Sequence, residues 1–343
     1  MDLAFLVVCF FIILAGAELF TNGIEWFGRK LELAEGAIGS VLAAVGTALP
    51  ETMIPLIAIV FGGGVAASEV GVGAILGAPF MLSTLAMFVT GAAILIFRNR
   101  RANREDCVVD THVIGHDMGY FALTFAIAIG AAFLPGDLIA LRRLIPILLL
   151  GMYGWYVWGH LRAERAEEEE LQPLRFHRLD PRHRTVSVPR LRIVTVQVLF
   201  ALACIIGGAW GFVGAVEGLA SSLGLNGTLL ALIIAPIATE LPEKMNSVIW
   251  ISRNKDTLAM GNITGAMVFQ SAIPTSIGLL LAPQLWTVSG AGLAFGSALI
   301  TFAASAALVV PMLIRRRLDG RALLVGGVFY LGYVAVVLTR LSG

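Results

Sequence analysis

GTALPE at residues 46–51 and ATELPE at residues 238–243 are nearly the same six letters, written twice and closed each time by a glutamate. The likeness extends outward without a gap. EWFGRKLELAEGAIGSVLAAVGTALPE at 25–51 lies against EGLASSLGLNGTLLALIIAPIATELPE at 217–243. Glu25, Leu31, Leu33, Thr47, Leu49 and Pro50 fall opposite Glu217, Leu223, Leu225, Thr239, Leu241 and Pro242. A second correspondence follows each motif, VGAILGAPF at 72–80 against MGNITGAMV at 260–268. The chain therefore reads as a duplication.

What surrounds the motifs is hydrocarbon. Of 343 residues, 58% are hydrophobic and 14% charged, with a mean hydropathy of +0.87. Soluble domains carry about 25% charged residues, so the chain reads as embedded in a lipid bilayer. A net charge of +1 gives no basic field to recruit nucleic acid, and no obligate protein partner is evident. Cys9, Cys107 and Cys204 show no metal or disulfide spacing. The first apolar stretch lacks a basic leader and a small-residue cleavage site, so it reads as a retained membrane helix.

A bilayer core of about 30 Å needs roughly 20 apolar residues per helix. Ten segments qualify, near 3–27, 36–60, 70–97, 118–134, 144–161, 193–220, 227–251, 257–281, 290–313 and 321–340. The expected fold is an all-α membrane protein of about ten spans in two five-helix repeats, at 1–161 and 193–343. The charged stretch between them, 162–192, reads as a solvated linker on the cytoplasmic side, with a regulatory segment as the alternative. Twenty of the 24 Lys and Arg follow the odd-numbered spans. The positive-inside rule then puts both termini outside the cytoplasm, and a bacterial inner membrane is the expected location. An odd number of spans per repeat inverts the second repeat, which points to a secondary transporter with its site at the repeat interface.

Glu51 and Glu243 sit inside apolar spans, where an ionised carboxylate costs several kcal/mol unless it pairs, binds a cation or carries a proton. Pro50 and Pro242 precede them and are expected to kink or unwind the helices. Freed carbonyls, the glutamates and the hydroxyls of Thr47 and Thr239, one turn earlier, make a set of hard oxygens suited to Ca2+ or Na+. No other cofactor is expected.

GTALPE and ATELPE resemble the G-T-S-L-P-E signature of the sodium/calcium exchanger superfamily, over repeats near 16–95 and 208–282. The resemblance implies alternating-access exchange of a divalent cation against Na+ or H+. It implies Glu51 and Glu243 as central ligands, with Thr47 and Thr239 adding oxygens. The family's second motif, G-S-N or G-S-D, reads here Gly77-Ala78-Pro79 and Gly265-Ala266-Met267. Partial replacements are Glu240, in place of the family's serine, with Asn246 and Ser247 after Glu243, Gln270 and Ser271 after Met267, and Ser83 and Thr84 after Pro79. Met267 itself reads as packing. Lys244 is placed either to pair with Glu240 at i,i+4 or to snorkel to the membrane surface. Glu51, Glu243 and Glu240 against Lys244 leave about two negative charges, enough for one divalent cation or two protons.

Other polar residues have plainer readings. Glu18, Glu25 and Glu217 lie near span ends, as solvated interfacial groups or as part of a vestibule. His112 and His116, between Asp110 and Asp117, have the spacing of a metal pair if helical, but read as a loop. An intramembrane enzyme is disfavoured because HExxH, G-x-S-x-G and a catalytically spaced Asp pair are missing. A channel and a non-transporting, sensing homologue with a degenerate ion site are the remaining alternatives.

Overall fold

The computed structural model describes residues 2–48, 52, 55–56, 59–60, 65–135, 138–163, 171–179, 188–222, 240–288 and 292–342. Ten helical segments carry the fold among them. In the first half, α1 is Asp2–Lys30 and α2 is Ala37–Thr47, π-helical over its first seven residues. α3 runs Val65–Met81, loosens into a π-turn at Leu82–Ala86 and continues through Met87–Phe97. α4 is Thr111–Gly130 and α5 is Ile139–Arg162. In the second half, α6 is Leu191–Ser222, α7 Leu241–Ser252, α8 Asp256–Leu281, α9 Gly292–Arg315 and α10 Val325–Ser342.

Eight of these helices are long and apolar enough to cross a bilayer. The other two, α2 and α7, bear the motifs. Thr47 is the last residue of α2, and α7 opens at Leu241 with Pro242 and Glu243 in its first turn. Proline belongs in a first turn, where a missing N–H breaks no helical bond. Pro242 therefore stands at the start of a helix, and the residues before Glu240 lie outside the described ones. The sequence elsewhere slips by a few residues. The fourth span was expected from 118, but α4 begins at Thr111, because the Asp110 carboxylate caps it by accepting from the His112 and Val113 amides. The stretch 110–117 is helix, not loop.

α8 is the central helix. Its span is 83% buried, against 61% for the span of α3. It packs on α4, α5, α2, α7 and α3. Glycine permits the closest of these crossings. A Cβ on Gly265 would fall on the backbone of Ser40 in α2, and one on Gly261 would sit 2.8 Å from Ser40 Oγ. The letter G of the second repeat's GAM motif thus has a steric reason. α1 and α6, first helices of the two repeats, pack along their length, with Gly16 against Ile205 and Gly208 against Ile13.

The outer surface is apolar. Phe11, Ile147, Leu299, Ile314, Val328 and Leu331 are each more than 60% exposed, as a lipid-facing surface requires. Polar contacts gather instead where the arginine-rich loops meet. Arg101, after α3, forms a buried two-pronged ion pair with Asp256 at the start of α8, at 2.7 and 2.6 Å, and also donates to Ile251 O. Asp106–Cys107 pairs antiparallel with Leu318–Asp319, tying the loop after α3 to the loop after α9. Arg162 lies 3.9 Å over the Trp158 ring at the end of α5.

The linker is partly docked. Leu174 is 1% exposed and packs with Trp26 and Val194. Trp26 Nε1 donates to Gln172 O, and Asn22 Oδ1 accepts from the Arg175 amide. Glu18 is bridged by Arg175 and Arg253. Glu25 is buried and accepts from Trp250 Nε1 and Lys255 Nζ, both at 2.8 Å. Neither acid is the freely solvated group its position suggested.

Candidate functional site

The first turn of α7 holds the site's acid. Glu243 is 0% exposed, and neither carboxylate oxygen has a hydrogen-bond partner among the described residues. Asn246, three residues on, is also 0% exposed, with both ends of its amide unpartnered. Buried polar groups are nearly always bonded, so two orphans on one helical face mark a place built for something else.

The first repeat reaches this place through α8. Thr47 and Asn262 are both fully buried. Thr47 Oγ1 lies 3.1 Å from Ala43 O and 3.3 Å from Asn262 Oδ1. Asn262 Nδ2 donates to the backbone carbonyl of Glu243 at 3.3 Å. The threonine has a single proton, and its shorter bond goes back to its own helix. Its oxygen and that of Asn262 then face each other with lone pairs to spare. The carboxylate of Glu243, the amide oxygens of Asn246 and Asn262 and the hydroxyl of Thr47 are oxygen donors of the type hard cations take.

Beside the orphans sits a closed pair. Lys244 Nζ lies 2.8 Å from Glu240 Oε2, with side chains 3% and 2% exposed. Lys244 pairs and does not snorkel. Glu240 is thereby neutralised, and the uncompensated charge rests on Glu243. Ser247, on the next turn, donates to Ala259 O, and Gln270 is 1% exposed on α8. Glu51 and Thr239 lie outside the described residues. Met267, at 0% exposure, and buried Pro79 add bulk and no side-chain oxygen. Ser83 and Thr84 turn their hydroxyls back to Phe80 O, filling acceptors next to Pro79.

The sequence missed Asn262. It stood inside MGNITGAMV, but its repeat mate is Ala74, so the duplication gave it no weight. A carboxamide in the middle of an apolar span was the available signal.

The family model described as sodium/calcium exchanger protein matches residues 1–161 and 193–342. A candidate antiporter, CaxA of Alkalimonas amylolytica, is 27% identical over 343 residues, 96% of each chain. Among solved structures, the sodium-calcium exchanger NCX_Mj soaked with 100 mM Na+ and 10 mM Sr2+ superposes with a TM-score of 0.72 at 18% identity, over 97% of each chain. The same exchanger soaked with 2.5 mM Na+ and 0.1 mM Sr2+ gives 0.73 at 17% identity, over 98% of this chain and 99% of that one. At these identities the structures show a shared fold.

Proposed function

Because the chain belongs to the sodium/calcium exchanger family, matched over both repeats, we propose that its orphan acid binds a transported cation. On this reading the protein is a secondary active antiporter, exchanging Ca2+ in the first instance against Na+ or H+ by alternating access. The observation that carries it is Glu243, a fully buried carboxylate without a hydrogen bond among the described residues. Such a charge is too costly to keep unless a cation or a proton compensates it. Asn246, Asn262 and Thr47 supply neutral oxygens beside it. Glu51 and Thr239 are proposed to complete the set from their matched positions, with Gln270 at its edge.

Charge and donor number favour a lean stoichiometry. With Glu240 held by Lys244, the free charge is that of Glu243 and Glu51. Two negative charges balance one divalent cation or two protons. Met267 and Pro79 remove the oxygens that further Na+ sites would need. H+ or few-Na+ coupling follows. The arginine-rich loops place both termini outside the cytoplasm on this reading, in a bacterial plasma membrane. The same buried methionine and proline favour the second reading, a homologue that senses a cation without moving it.

The test is radiolabelled Ca2+ uptake into proteoliposomes under an imposed Na+ gradient and, separately, an imposed pH gradient. Uptake driven by either gradient and abolished by Glu51→Gln and by Glu243→Gln is the expected result. Strictly Na+-driven, pH-insensitive uptake of high Na+ cooperativity would overturn the lean stoichiometry. Absence of flux with any cation, despite cation binding, would establish the sensing reading.

A further inference from the structure

A second buried cluster makes no hydrogen bond to Glu243 among the described residues. Asp117 in α4 is 0% exposed and takes contacts from three other helices. Oδ2 accepts from Ser40 Oγ on α2 at 2.7 Å and from Thr264 Oγ1 on α8 at 2.6 Å. Oδ1 accepts from Tyr156 OH on α5 at 3.0 Å and lies 2.9 Å from His160 Nε2. Four donors already satisfy the carboxylate. Yet a second imidazole stands beside it. His116 is half-buried, makes ring contacts with Tyr120, Tyr156 and His160, and has no hydrogen bond among the described residues. One ligand atom from each of His116, Asp117 and His160 can be chosen so that all lie within 4.8 Å of one another.

We propose that His116, Asp117 and His160 form a binding site for a borderline divalent transition ion of the zinc class, separate from the candidate transport site. Two imidazoles and one carboxylate are the donor set such ions take, with bonds near 2.0–2.2 Å and a fourth position left to water. Ca2+ and Mg2+ are poorly served, since they call for six or more oxygens. Ser40, Thr264 and Tyr156 already fix the carboxylate from behind, the outer support that metal-ligating side chains have. His160 binds as the neutral ring, with its proton moved from Nε2 to Nδ1. His116 is the half-buried member of the three. A purely structural network needs Asp117, Tyr156 and His160 and asks of His116 only ring packing.

The experiment uses the purified full chain in detergent, stripped of metal and titrated with Co2+, then competed with Zn2+. Co2+ in a four-coordinate site shows an intense visible band that six-coordinate Co2+ lacks. The band is expected in the wild type and in Glu243→Gln, where the candidate transport site is disabled. His116→Ala, at the half-buried member of the cluster, is expected to weaken Co2+ binding by at least about tenfold. His160→Gln is expected to abolish the band. A wild type without the band, a His116→Ala variant within about twofold of wild type, or loss of the band in Glu243→Gln alone would each overturn the proposal.

Discussion

Lys244 and Glu240 close a buried ion pair at 2.8 Å, one turn apart at the start of α7. A pair out of water adds little net stability, but opening it from one side leaves a bare charge in the protein interior. Lys244→Met is therefore expected to lower stability by about 3–5 kcal/mol. Glu240→Gln together with Lys244→Met is expected to recover most of that loss, because neither charge remains. Thermal unfolding of the three variants in detergent measures it. A double variant no more stable than Lys244→Met would show that Lys244 acts on something other than Glu240.

Glu243 leads to the opposite expectation. Its carboxylate has no hydrogen-bond partner among the described residues. Glu243→Gln is expected to leave the cation-free protein as stable as wild type, or more so. Saturating Ca2+ should stabilise the wild type by about 2.7 kcal/mol at one hundred times the dissociation constant and leave Glu243→Gln unmoved. The upward shift in melting temperature with added Ca2+, compared between the two proteins, decides this. Equal shifts in both would place the bound cation elsewhere.

Thr47 and Asn262 test whether the first repeat shares the site. Thr47→Val keeps shape and removes the oxygen. The hydrogen bond it gives up, to Ala43 O within its own helix, is worth about 1 kcal/mol. Cation affinity is expected to fall about tenfold, equivalent to about 1.4 kcal/mol. Asn262→Leu removes both the facing oxygen and the bond to Glu243 O, so it should do at least as much. Calorimetric titration of each variant gives the answer. Unchanged affinity in Thr47→Val would remove that hydroxyl from the ligand set.

The duplicated T-x-x-P-E made the architecture legible, because two matched acids in apolar spans admit few physical explanations. Thr47 and Glu243 stand out that way, and the structure links Thr47 to the backbone carbonyl of Glu243 through Asn262. What the letters left undecided was geometric. The i,i+4 spacing of Glu240 and Lys244 suits pairing and snorkelling alike, and only depth distinguishes them. Asn262 has no polar mate in the first repeat. Asp117 and His160 are far apart in sequence and meet only because α4 packs against α5. The polar letters of 110–117 resembled a loop because their partners, on α2, α5 and α8, could not be seen from the segment itself. In the linker, Leu174 and Arg175 sat among charges that suggested solvent. Their partners on α1 were not legible either.

That docked linker yields the last expectation. Residues 171–179 are held to α1 by Leu174 in its apolar seat, by hydrogen bonds from Trp26 and Asn22 onto Gln172 O and Pro173 O and from the Arg175 amide onto Asn22, and by the Arg175 bridge to Glu18. Trypsin must unseat this segment to reach Arg175 or Arg178. Leu174→Ala is a large-to-small change at a buried site, and such changes cost about 2–5 kcal/mol. Here the loss falls on local docking, because the segment can lift away without unfolding the helices. Each 1.4 kcal/mol lost from docking raises the open population about tenfold, and cleavage follows that population when closing is fast. Leu174→Ala is thus expected to raise tryptic cleavage at these arginines by about tenfold or more. Trp26→Phe, which removes the bond to Gln172 O, is expected to raise it less. Fragment masses over a digestion time course distinguish these sites from cuts elsewhere in the chain. Equal rates in Leu174→Ala and wild type would mean that the seat of Leu174 does not hold the segment down.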